Sequence, residues 1–297
     1  MQNPNIDKFM SDNIDVLKEF YENFQGREDL IKWVNNFPKS TPKIAEEGNS
    51  DSEIAVIIPT PSVDHPLAIN CQNSIFNGLK IIFTVDSSKV FNLARSYNQG
   101  AKILSANKNI KWVIFSNVDM IRLESPKKLI MELQNVADNI KFCYAKEGDS
   151  HSSSWRIGEY TYLRKLVFSF LGKNRRLKAN LENKFSIHIN VEDNRHKLTR
   201  NFVSNIKNIL NFGDFFIFSI DLLKKYNYAP FDELFLNGME DIDLSLRLYS
   251  DLNQGEFKAI NYSIGSMESG IRGRDIIRDF RNIPSIAYFN EKQEKFI

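Results

Sequence analysis

The chain has 297 residues, of which 42% are hydrophobic and 26% charged, an ordinary globular composition long enough to bury a core without disulfides or metal staples. A formal net charge of +2 gives no global field for nucleic acid, which is excluded as an expected partner. Cys71 and Cys143 belong to no CxxC or Cys/His spacing, so a zinc site is not expected; both are read as small buried hydrophobes in a reducing, cytoplasmic setting.

In chain order, the N-terminus is polar and lacks a signal-peptide pattern, and no apolar run reaches membrane-spanning length. The expectation is a soluble protein, peripheral to a membrane at most. Phe9, Ile14, Leu17, Phe20 and Phe24 predict helix over residues 5–37, with a second helix from Leu30 to Asn36 after a break at Gly26. Residues 38–52, rich in Pro, Ser, Glu and Asn, read as a linker, so that 1–50 is a helical extension and 51–297 the main domain.

Ile54–Ile58 is a continuous apolar run ending at Pro59-Thr60-Pro61, as expected of a strand buried on both faces. A short helix over 69–76, a strand over 80–85 ending at Asp86, a helix over 91–104 and a strand over 111–116 ending at Asn117-Val118-Asp119 follow. A helix over 127–137, strands over 141–144 and 213–219 and a helix from about Glu240 to Ser250 complete the pattern. This alternation predicts an α/β fold with a mostly parallel open sheet flanked by helices. Ligands of such sheets bind at the carboxyl ends of the strands, which places Thr60, Asp86, Asn117 and Asp119 on the functional edge.

Residues 151–210 break the pattern, with 12 Lys and Arg against 4 Asp and Glu. Leu163, Leu166, Val167, Phe170 and Leu171, flanked by Arg164, Lys165, Lys173, Arg175 and Arg176, suit a basic amphipathic helix. Such a helix fits either an anionic membrane surface or the core, with a solvated basic rim.

No G-x-G-x-x-G follows the first strand, and no Walker-type loop is present, so neither a dinucleotide fold nor a P-loop is expected. Three constellations carry chemistry instead. Asn117 and Asp119 offer an amide oxygen and a carboxylate to a hard divalent cation; the plain alternative is a polar turn. Gly238-Met239-Glu240-Asp241-Ile242-Asp243 opens a helix with acids, where Asp241 suits a general base, Glu240 is a second candidate, and Asp243 pairs with Arg247 at i,i+4. Asn92 to Ala101 carries Arg95, which suits a phosphate or the acidic segment, and Gly100-Ala101, which suit close helix–sheet packing.

These motifs, in this order, resemble the GT-A glycosyltransferases, in particular the family 2 inverting enzymes, with a similarity to the β-1,4-galactosyltransferases. The likeness covers residues 53–250. Ile54–Thr60 resembles the opening strand and nucleotide-contacting turn, with Pro59 and Thr60 in the turn. Asp86 falls at the base- or ribose-binding acid, and Asn92–Ala101 resembles N-x-A-R-x-x-N-x-G-A. Phe115–Met120 resembles the metal-binding D-x-D strand end, and Phe231–Arg247 resembles F-D-E…G-x-E-D-x-D-L-x-x-R. The resemblance implies a nucleotide-diphosphate sugar donor, a glycan or lipid-linked acceptor, a divalent cation (Mn²⁺ or Mg²⁺) at Asp119 and Asn117, and Asp241 as base. The chain departs from the pattern where Asn117 replaces the first acid of D-x-D and where no histidine follows His196. Two alternatives stand beside this one. One is a nucleotidyltransferase, which the lack of a Gly-rich basic loop after the first strand disfavours. The other is a non-catalytic nucleotide- or glycan-binding protein.

Overall fold

The computed structural model describes residues 6–147, 155–159, 172–187, 189–193, 204–209, 215–267 and 276–294. Three short helices open it: α1 (Ile6–Phe9), α2 (Ile14–Glu22), capped by the Asn13 side chain, and α3 (Arg27–Asn35). Then come β1 (Lys43–Gly48), β2 (Ile54–Thr60), α4 (Pro66–Asn70) running into a π turn, β3 (Lys80–Val85), α5 (Leu93–Ile103), β4 (Trp112–Ser116) and β5 (Met120–Arg122). The chain continues through α6 (Pro126–Gln134), β6 (Phe142–Glu147), β7 (Trp155–Glu159), α7 (Gly172–Lys184), β8 (Ile189–Asp193), β9 (Ser204–Ile209), β10 (Phe215–Ser219) and α8 (Ile220–Lys225). It closes with α9 (Glu240–Asp251), β11 (Phe257–Ser266), α10 (Ile276–Arg281) and α11 (Ile283–Glu294).

Eight strands form one sheet in the order β1-β3-β2-β4-β10-β6-β11-β5, and β8-β7-β9 form a small antiparallel one. The large sheet is mixed rather than mostly parallel. The pairs β3–β2, β2–β4 and β6–β11 are parallel, while β1–β3, β4–β10, β10–β6 and β11–β5 are antiparallel. The apolar run Phe215–Phe218 is buried on both faces, a pattern that marks a central strand without giving its direction.

The linker expected over 38–52 is corrected. Lys43–Gly48 pairs with β3 as an edge strand, from Lys43↔Val85 to Gly48↔Lys80. Its exposed Glu46 and Glu47 hide the strand pattern, because an edge strand carries charge to discourage further pairing.

Two apolar layers sandwich the sheet. One holds Val56, Ile58, Phe76, Ile81 and Ile114 beneath α4 and α6; the other holds Ile57, Tyr97, Phe115, Phe216, Phe231 and Leu244 beneath α5 and α9. A third cluster joins the N-terminal helices to α7, α10 and α11 through Phe20, Trp33, Phe185, Phe280 and Ile283. The N-terminal extension is thus packed on the body of the protein. Of the basic segment, Leu163–Leu171 lie outside the described residues. Lys173, Arg175 and Arg176 fall on α7, where Arg175 pairs with Asp279, and Lys178 lies 3.5 Å from the same carboxylate. Among the described residues no helix is long and apolar enough to cross a membrane.

Gly100 is where α5 meets the sheet. A Cβ added there would lie 2.5 Å from Ile57 Cγ2 and 3.0 Å from Thr84 Cγ2. Gly100→Ala is expected to lower the unfolding free energy by about 1–3 kcal/mol in urea titration, through overpacking. A neutral result would show that the helix lifts freely off the sheet.

Candidate functional site

Because β2, β3 and β4 run parallel, their carboxyl ends lie side by side, and the expected edge residues gather there. Thr60 is buried; its Oγ1 donates to Ser62 O at 2.8 Å and its carbonyl accepts from Asp86 N at 3.0 Å. Pro59 pairs in register with Thr84. Asp86 Oδ1 accepts from Ser88 N at 2.9 Å, and Oδ2 accepts from the Ser40 hydroxyl.

The helix α5 carries the residues that assemble the site. Asn92 caps it by accepting from Arg95 N at 2.7 Å, while its Nδ2 donates to Phe235 O at 2.9 Å and Glu233 O at 3.2 Å. Asn98, 1% exposed, makes a two-way bond with Phe231: Nδ2 donates to Phe231 O at 2.8 Å and Oδ1 accepts from Phe231 N at 3.1 Å. Arg95 Nη1 donates to Glu233 Oε2 at 3.2 Å, Asn98 Nδ2 to Glu233 Oε1 at 3.1 Å, and Arg95 Nη2 to Thr41 Oγ1 at 3.1 Å. Of the two partners expected for Arg95, it therefore holds a carboxylate. Tyr97 stacks on Phe231 at 5.0 Å and donates to Asn117 Oδ1 at 2.9 Å.

Asn117 and Asp119 were expected to offer an amide oxygen and a carboxylate to one cation, which side chains two apart on an extended chain would do. However, β4 ends at Ser116, and residues 117–119 lie beyond it, so strand alternation does not govern them. Asn117 turns to Tyr97. Asp119 bonds through its carbonyl to Met267 N at 2.8 Å, and its charge adds to burial in pushing the Cys71 thiol up to about 12. Both cysteines are buried, and burial takes Cys143 to about 12 as well, so neither is a reactive thiolate. Among the described residues no three His, Cys, Asp or Glu side chains cluster as a metal site. Among the described residues this leaves one carboxylate and one engaged amide as protein oxygens for a divalent cation, whose remaining ligands would have to come from water or a bound ligand.

The acidic helix start is positioned by unusual backbone. Gly238 and Met239 have φ of +75° and +76°, so two successive left-handed residues reverse the chain into α9. For Met239 this conformation is strained, and its side chain packs against the Phe235 and Phe289 cluster. Glu240 is buried; Asp241 is half-buried and its Oδ1 accepts from Ile242 N at 2.8 Å. Asp243 is structural, as its i,i+4 spacing suggested: 1% exposed, it lies 3.0 Å from Arg247 Nε and 2.9 Å from Lys292 Nζ.

The C-terminal helix α11 holds this segment and was missed in the sequence. Ser285 Oγ accepts from Leu236 N at 3.1 Å and Asn237 N at 3.0 Å. Tyr288 OH donates to Asp232 Oδ2 at 2.8 Å, and Lys292 Nζ bridges Asp232 at 2.7 Å and Asp243 at 2.9 Å. The spacing i, i+3, i+7 puts all three on one helix face. The apolar series Ile277, Phe280, Ile283 and Ala287 was the available signal.

An open cleft of about 530 Å³ lies at the other end of the sheet, lined by residues including Glu53, Ile54, Trp112, Leu133 and Ser219. None of the candidate residues borders it.

A scan of family models matches nothing to this chain, and a search of curated proteins likewise returns no match.

Burial pushes Asp232 up, but the bond from Lys292, the Leu234 N–H and the Tyr288 hydroxyl outweigh it and hold the carboxyl below its ordinary range. Such a group stabilises the fold above the unfolded-state pKa of about 3.9, and that contribution is lost as pH falls through the lower folded value. Lys292→Met is expected to cost about 3 kcal/mol at pH 7 in urea unfolding. The cost should shrink towards pH 4, where burial without the lysine favours protonated Asp232. An equal cost at both pH values would exclude the charge as its origin.

Proposed function

We propose that the protein transfers a sugar from a nucleotide-diphosphate sugar to an acceptor hydroxyl, inverting the anomeric centre. The observation that carries the reading is the meeting of motifs that lie far apart in sequence. Asn92, Arg95 and Asn98 bond to Phe231, Glu233 and Phe235, and Tyr97 joins Phe231 to Asn117. The resemblance to family 2 GT-A enzymes rests on those same segments. The contacts also have a purely structural use, since they seat α9 on the sheet.

In this reaction Asp241 takes the proton of the acceptor hydroxyl while its oxygen bonds to the anomeric carbon. The carbon–oxygen bond to the diphosphate breaks on the opposite face, and the nucleoside diphosphate leaves. Glu240, buried beside Asp241, shapes the helix start. Asp86, Thr60 and Pro59 form the nucleoside edge at the ends of β2 and β3, with Arg95 and Asn117 alongside. Asp119 and Asn117 would hold a divalent cation brought by the donor, and such an ion would supply positive charge to the diphosphate. The acceptor class, glycan or lipid-linked, belongs to this proposal, as does a membrane-proximal role for residues 163–171.

The scarcity of protein ligands around Asp119 among the described residues favours one second reading, a non-catalytic protein that binds a nucleotide or glycan at the same edge. Asp241→Asn separates the two. It is expected to abolish transfer, by a factor of about 10² or more, while donor binding in thermal-shift titration stays within error. Parallel loss of donor binding would remove Asp241 from the role of base. Wild-type protein that binds a nucleotide sugar yet neither transfers nor hydrolyses it would establish the second reading.

A further inference from the structure

The segment between α3 and β1 runs along the same sheet edge. Ser40 donates its hydroxyl to Asp86 and its N–H to Val90 O at 3.4 Å, and Thr41 Oγ1 accepts from Arg95 Nη2 at 3.1 Å. Phe37, 7% exposed, anchors the other side. Lys39, between these anchors, is held half-buried beside Arg95.

Among the described residues the Lys39 ammonium has no hydrogen-bonding or ion-pairing partner. The carboxylates that act on it electrostatically are Glu233 and Asp232, and their oxygens are already engaged. Glu233 gives Oε1 to Asn98 and Oε2 to Arg95; Asp232 gives Oδ1 to Leu234 N and Oδ2 to Tyr288 and Lys292. Next to this ammonium, the Nε–H of Arg95 is buried without an acceptor. A buried donor without an acceptor is costly, and this one lies beside a half-buried ammonium that also lacks a partner, a pairing of cations that an anion would satisfy. Burial, opposed by the pull of Glu233 and reinforced by Arg95, holds Lys39 below the ordinary lysine pKa, which a bound anion would reverse.

We propose that Lys39 and Arg95 together form a binding site for a phosphate or diphosphate group, with the ammonium as a point charge and the Arg95 guanidinium as the second positive charge. The site makes the N-terminal segment part of the ligand edge. It deepens the proposed function in one respect: that function supplies a nucleoside diphosphate as the source of the anion. The alternative source is free phosphate or pyrophosphate.

The test is calorimetric titration of the full chain at low ionic strength with sodium pyrophosphate and, separately, with UDP, GDP and ADP. Pyrophosphate is expected to bind the wild type, with Lys39→Met weakening it by about ten- to a hundredfold and Lys39→Arg retaining most of the affinity. Lys39 is half-buried in a connecting segment, so an unchanged ligand-free melting temperature certifies the folded variant. Tighter binding of one nucleoside diphosphate, still sensitive to Lys39→Met, identifies the donor as the source; equal affinity for pyrophosphate assigns the site to the free anion. No binding of pyrophosphate by the wild type, or equal binding by Lys39→Met, overturns the proposal. Lysine-dependent binding in a protein that transfers no sugar keeps this site and removes the transferase. Transfer with donor affinity unchanged in Lys39→Met does the reverse.

Discussion

The two-way bond between the Asn98 amide and the backbone of Phe231 sits where the candidate functional elements join. A side-chain amide that both donates to and accepts from one residue mimics a strand pair, and in a buried place it satisfies groups that would otherwise be orphaned. Through it, α5 fixes the start of the loop that leads to α9. Arg95 and Asn92, one and two turns away, repeat the attachment at Glu233 and Phe235. The loop is thereby laid against the carboxyl edge of the parallel strands.

The other side of that loop is held by α11. Ser285 takes two backbone N–H groups, and Tyr288 and Lys292 take Asp232 and Asp243. Between these two supports the chain passes through left-handed Gly238 and Met239. A strained turn survives only where its surroundings over-determine it, and here a helix on either side does so. The acids at the start of α9 are placed by contacts from α5 on one side and α11 on the other.

The sequence made the long periodic elements legible, and the reasons are physical. Ile54–Ile58, Lys80–Val85 and Phe115 announce buried strands because burial on both faces demands continuous apolar residues. Strand direction is written nowhere in such a run, and so β10 was expected as a strand but not as an antiparallel one. β1 and β5 were missed because short edge strands owe their existence to a partner. For the site, Thr60 and Asp86 could be placed on one edge from strand ends alone. The relation of Asn117 to Asp119 could not, since it depends on how the chain bends at residues 118 and 119 after β4 ends. Ser285, Tyr288 and Lys292 carry no motif; their spacing acquires meaning only when α11 is docked on the loop.

The position of β10 in the sheet has a consequence for how the protein is made. Residues 215–219 lie between β4 and β6, strands that precede them by some seventy to a hundred residues. Until they emerge from the ribosome, β4 has no neighbour on one side, and β6 lacks both β10 and β11. The first half of the chain must therefore wait with open hydrogen-bonding edges flanked by apolar faces, a condition that invites pairing with another chain. Synthesis in which chaperones shield those edges, or in which the second half follows without pause, would suit this topology, and fragments ending before residue 215 should be recovered mainly as aggregates.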